Sequence, residues 1–176
     1  MLGCKLIGFA ILSLVLTQLE FAQGHDSGCT NKFSKVGDKC LYLISYINTN
    51  WHNADRHCHS LGAGLLSFQN QRQLKQIEDW LDQNDTWSNE FWTSGNSFGH
   101  KGVYYWQSTG EKASYLPWSL GQPRPNQGDC LVLNSKPSST TSHPYETTVA
   151  VPAANSGLYV ENCSAVRSYI CEQIKN

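Results

Sequence analysis

Seven cysteines in 176 residues constrain this chain more than any other feature. An odd number in a disulfide-bonded protein leaves one thiol over, so the seventh needs an explanation. Residues 1–5 form a short, positively charged start, and residues 6–16 are an apolar run, too short for the roughly 20 residues that span a bilayer. Ala22 and Gly24 fit the small-residue positions before a cleavage site, so residues 1–24 read as a signal peptide cleaved after Gly24. Cleavage removes Cys4 and leaves Cys29, Cys40, Cys58, Cys130, Cys163 and Cys171. A secreted chain with an even cysteine count is expected to be oxidised and stapled by up to three bridges. The residues alone leave fifteen pairings open. No second long apolar run follows, so the product is expected to be extracellular, with no membrane span.

Residues 25–176 read as a single domain, in line with a prior of about 150 residues per domain. With 13 basic and 14 acidic residues the chain lacks the positive field that sequence-independent nucleic-acid binding needs, so no nucleic-acid partner is expected. Aromatics at 11% against charged residues at 15% exclude a disordered composition. Residues 134–157 are rich in Ser, Thr and Pro and lie between Cys130 and Cys163. They read as a polar loop inserted within the domain, without the periodicity of a core layer.

Two helices are expected. Asn50 is placed to cap one whose Trp51, Ala54, Cys58 and Leu61 share a face and which stops at Gly62 and Gly64; Asn70 is placed to cap another carrying Leu74, Ile77 and Leu81, with Trp80 widening the stripe. Short strands are predicted at 39–46, 91–93, 103–106, 130–133, 158–160 and 169–172. Trp51, Trp80, Trp92 and Trp106 fall within these elements and read as core. Helices and strands that do not alternate regularly argue for an α+β fold.

The order of these elements, with Cys58 on the first helix, Phe91-Trp92-Thr93-Ser94-Gly95, Tyr104-Tyr105-Trp106, Pro117-Trp118, Gly121-Gln122-Pro123, Asp129-Cys130 and Ile170-Cys171-Glu172, resembles the C-type lectin-like domain, in its secreted, single-domain, long form as found in invertebrates. The resemblance runs from about Cys29 to Glu172. It implies two helices, small antiparallel sheets, a long loop region and three disulfides, paired Cys29–Cys40, Cys58–Cys171 and Cys130–Cys163.

In that family function sits mainly in the long loop region, here about 107–130, where a calcium ion is held jointly by protein and sugar. Calcium takes six to eight oxygen ligands, most of the charge coming from carboxylates. The family's sugar-selecting triplet is Glu-Pro-Asn or Gln-Pro-Asp; the matching residues are Gln122-Pro123-Arg124, similar to the galactose type at their start. Arg124 offers only donors and the ion's own sign. Shifting the register gives Arg124-Pro125-Asn126, which restores an amide but opens on Arg. The family's acidic position before the cysteine falls on Gly128, leaving Asp129, and its later Asn-Asp ligands fall on Tyr159 and Val160, with Glu161 just out of register. The resemblance therefore implies a degenerate calcium site, with Gln122, Asp129 and Glu161 as its weak metal candidates, and no tightly held Ca²⁺ is expected. Candidate ligand-binding residues are Gln122, Asn126, Asp129 and Trp118, the last either stacking on a sugar face or packing the loop base.

His52 and His59 are seven positions apart on the first helix, about 10 Å along its axis, too far for one zinc ion. His52, His57 and His59 are expected to be solvated. No Ser/His/Asp grouping is suggested by local pattern, so no enzyme is expected. Asn84-Asp85-Thr86 is a candidate glycosylation site; Asn162-Cys163-Ser164 has an expected bridge cysteine in its middle. Two functions fit: a secreted lectin that binds an extracellular glycan or glycoprotein, galactose-type if it binds sugar, or a calcium-independent module that recognises a protein or surface through the same loops.

Overall fold

The two ends of the described chain lie side by side. In the computed structural model, which describes residues 28–30, 32–84, 89–135 and 156–174, strand β2 (Lys39–Thr49) pairs antiparallel with β9 (Arg167–Gln173), from Leu41 opposite Glu172 to Ile44 opposite Tyr169. The leader assigned to residues 1–24 and most of the polar insertion, 136–155, lie outside the described residues. β1 (Ser34–Val36) flanks β2, and β3 (Ala63–Leu65) pairs with β9. β4 (Glu90–Asn96) joins β9 through the parallel pairs Phe91 with Ser168 and Trp92 with Tyr169. It also pairs antiparallel with β5 (Tyr105–Trp106) and β7 (Cys130–Asn134); β6 (Glu111–Lys112) extends β5, and β8 (Gly157–Glu161) extends β7. Asn134 and Gly157, the ends of the polar insertion, face each other across the β7–β8 ladder.

Helix α1 (Trp51–Ser60) and helix α2 (Gln71–Gln83) start where their capping asparagines place them. The side chain of Asn50 accepts from the Asn53 N–H, and that of Asn70 from the Gln73 N–H, each at 3.0 Å. Each cap satisfies an N–H that the helix leaves without an internal partner. The buried face of α1 is Trp51, Ala54 and Cys58, and that of α2 is Leu74, Ile77 and Leu81. Trp51, Trp92 and Trp106 are at most 1% exposed, so these three rings are core, while Trp80 packs half-buried against it.

Three disulfides cross-link the fold: Cys29–Cys40 ties the amino-terminal segment to β2, Cys58–Cys171 ties α1 to β9, and Cys130–Cys163 ties the start of β7 to the turn after β8. β3 is a difference from the sequence reading, where Gly62 and Gly64 both stood as stop signals. Gly62, at φ +68°, does end the turn after α1. Gly64 instead sits inside a strand, paired with Glu172 of β9, and the position takes glycine because a Cβ there would lie 2.6 Å from the Ser108 side chain. The strand expected at 103–106 also starts late, since a turn from His100 to Val103 around Gly102, at φ +80°, occupies its beginning.

Candidate functional site

The loop from Ala113 to Asp129 connects β6 to β7 and holds one basic residue, Arg124, and one acidic residue, Asp129. Its base is fastened to β8: the Leu158 N–H donates to the Pro117 carbonyl at 2.8 Å and the Ser119 N–H to the Leu158 carbonyl at 2.9 Å. Trp118, between those two bonds, packs half-buried against the core, its ring edge-on to Tyr104 with centroids 5.2 Å apart. Its half-buried ring packs the loop base, one of its two roles in the sequence reading. Beyond it the chain turns at Gly121, passes the cis peptide bond Gln122–Pro123, and makes a short 3-10 turn at Pro125–Gln127 that presents Asn126 to solvent.

Each of the three weak metal candidates already has partners within the chain. Oε1 of Gln122 accepts from the Val160 N–H at 3.1 Å and from the Arg124 N–H at 3.0 Å. Oδ1 of Asp129 accepts from Ser97 Oγ at 2.8 Å and from Lys101 Nζ at 2.9 Å, and the same ammonium donates to the Gly128 carbonyl at 3.0 Å. The Lys101 ammonium, with the Ser97 hydroxyl, holds the Asp129 carboxyl below the usual carboxylate range. On β8, Glu161 Oε2 accepts from Arg167 Nη2 at 2.6 Å and Oε1 from the Asn162 N–H at 3.0 Å. Arg167 is held further by Glu90 at 3.2 Å and by the Tyr159 hydroxyl, to which its Nε donates at 3.2 Å. Burial keeps that Tyr159 hydroxyl protonated well above the ordinary tyrosine range.

These residues do not fit a calcium ion. Calcium needs six to eight oxygens with net negative charge, whereas Asp129 and Glu161 each carry a cation of the chain's own and Gln122 spends its oxygen on backbone. Nor does position 128 have room for the acidic side chain that the resemblance puts there. The backbone of β8 closes over it, so a Cβ on Gly128 would lie 2.0 Å from the Glu161 carbonyl oxygen and 2.5 Å from the Asn162 nitrogen. Among the described residues no three His, Cys, Asp or Glu side chains form a group able to hold a metal ion.

The three helix histidines go to three different partners. His52 stacks on the half-exposed Phe98 ring, His59 lies beside the Asp55 carbonyl and carboxylate, and His57 is hydrogen-bonded to the Tyr169 hydroxyl at 2.6 Å. His57 is therefore half-buried, not solvated as expected, because Tyr169 on β9 faces the same side of α1. Asn84, the expected glycosylation site, is exposed at the end of α2 with its amide donating to the Trp80 carbonyl; the rest of its sequon, Asp85-Thr86, lies outside the described residues. Sequence reasoning missed Lys101, Ser97 and Arg167, the groups that occupy the carboxylates. A short Gly-His-Lys-Gly turn at 99–102 was the one local sign that Lys101 projects from a tight loop.

Comparison with known proteins bears on the whole of this architecture. A family model described as the lectin C-type domain matches residues 47–173. C-type lectin 37Db of Drosophila melanogaster is 34% identical over 94 residues, which are 53% of this chain and 59% of that relative, so the match spans little more than half of the relative's length. Human lithostathine superposes with a TM-score of 0.67 at 19% identity, covering 86% of this chain and 94% of that one. The Ca²⁺-independent C-type lectin SPL-2 of Saxidomus purpuratus gives 0.64 at 17% identity, covering 84% and 96%. At these identities the two structures speak for the fold alone.

Proposed function

This chain belongs to the C-type lectin domain family, and from that premise we propose that it is a secreted recognition domain that binds an extracellular glycan through its 117–129 loop without calcium. The family is one of recognition, not catalysis. Secretion follows from the leader read at residues 1–24, and among the described residues no helix is long and apolar enough to cross a membrane. The single observation that carries the calcium-independent reading is the occupation of Asp129 by Lys101 at 2.9 Å, in a loop with no other carboxylate.

With the ion's role removed, direct hydrogen bonds fall to the exposed Asn126 and to the half-buried Gln122, whose amide otherwise donates to Gln127 Oε1 at 3.5 Å. Asn126 and the Gln122 amide are the polar contacts we assign to the ligand, while Asp129 and Trp118 act by holding the loop in shape. Gln122-Pro123 is similar to the start of the galactose-type triplet, which makes galactose-bearing glycans the first class to try. A relative of the same fold is itself described as calcium-independent, which is in keeping with this reading.

A glycan array probed with the mature domain, with and without chelator, tests it. Binding that survives chelation is expected. Binding lost on chelation contradicts calcium independence, and no glycan bound at all leaves the protein-recognition alternative in its place.

A further inference from the structure

We propose that Arg124 turns this loop into a receptor for an anionic group on the glycan, a sulfate ester or a carboxylate; this rests on the glycan-binding reading above. The other two cations around the site are committed, Lys101 to Asp129 and Arg167 to Glu161 and Glu90. Arg124 is exposed and, among the described residues, forms no ion pair. It is nonetheless held in place. Its N–H donates to Gln122 Oε1 and its Nε to the Gly121 carbonyl, both at 3.0 Å, which folds the guanidinium back over Gly121 and leaves its two Nη groups for an outside acceptor.

That geometry selects the ligand's chemistry. A guanidinium has only donors, in a planar fork that matches two oxygens of a carboxylate or sulfate. Such charge-assisted pairs are about twice as strong as neutral hydrogen bonds. Tethering at both the backbone and Nε lowers the ordering cost that a free arginine carries into binding. Asn126, two residues on and exposed, adds an amide for a neighbouring hydroxyl. The whole chain is near neutral, at a formal charge of −1, so no long-range field gathers polyanions and the contact acts at short range through one charge.

The test uses biosensor titrations of the mature domain against three oligosaccharides of one galactose backbone, bearing a sulfate, a uronic carboxylate or no charge, with a tyrosine-sulfated peptide as a fourth probe. At least one charged sugar is expected to bind about tenfold more tightly than the neutral one, and the two charged arms identify which anion is preferred. Arg124→Ala and Arg124→Gln are expected to abolish that preference, with Arg124→Lys keeping part of it. Equal binding of charged and neutral sugars, or a preference that survives Arg124→Gln, overturns the proposal while leaving the glycan reading intact. Sulfated peptide bound as tightly as the sulfated sugar overturns the glycan as ligand class. Failure of every sugar to bind removes the reading on which the proposal rests.

Discussion

Lys101 Nζ lies 2.9 Å from Asp129 Oδ1, which puts an ammonium group of the chain's own on the one carboxylate of the 113–129 loop. The hydrogen bond from Lys101 lowers the Asp129 pKa from its ordinary 3.8. A carboxylate whose native pKa lies below its unfolded one contributes stability that is fully present above the unfolded value. Here it is lost as pH falls below 3.8 and through the lowered native value. Lys101→Met is expected to bring the Asp129 titration, followed by carboxyl-carbon NMR, back up toward 3.8. With the two side chains 51% and 35% exposed, the loss of stability at pH 7 should stay within about 1 kcal/mol. An Asp129 titration unmoved by the substitution would show that the pair is not formed in solution.

Restoring the family's acidic residue at position 128 should fail. A Cβ at Gly128 meets the Glu161 carbonyl at 2.0 Å, so Gly128→Asp must push β7 away from β8. Overpacking of this kind costs about 1–3 kcal/mol. Urea melts with and without calcium should show that loss, with no recovery on adding the ion.

Trp118 is expected to behave as a structural residue. Its ring lies on Tyr104 and its backbone is bracketed by two bonds to β8, so Trp118→Ala should destabilise by about 2–3 kcal/mol, short of the full cost for a wholly buried ring. Thermal melting measures it. A variant that melts like the parent but loses glycan binding would return Trp118 to the ligand.

The bridges should rank by the loop each closes. Cys58–Cys171 spans 113 residues and Cys130–Cys163 spans 33, for which the chain-entropy model gives about 5 and about 4 kcal/mol. Paired Cys→Ser variants, compared by urea denaturation, should lose more at the first than at the second. The reverse order would mean that the clamp at the base of the polar insertion does more than limit the unfolded chain.

What the residues alone disclosed is mostly what acts locally. Asn50 and Asn70 announced their helices because a cap is a contact three residues long, and the apolar spacing of Trp51, Ala54 and Cys58 turned out to be the buried face. β3 escaped because Gly64 looks like a stop signal until Ser108, 44 positions away, is seen pressing on it. The shortage of calcium ligands was visible at Arg124, Gly128, Tyr159 and Val160. Its physical cause was not: Lys101 and Asp129 are 28 residues apart, and no periodicity links a turn before β5 to the end of the long loop. His57 was misjudged for the same reason, since its partner Tyr169 arrives from the far end of the chain.

Gln122, Asp129 and Glu161 are committed to the chain's own cations and backbone, and titration calorimetry of the mature domain with Ca²⁺ tests this most directly. No binding heat beyond dilution is expected through the micromolar range. A saturable isotherm with a micromolar Kd would mean that Lys101 yields Asp129 to the ion, and would contradict it.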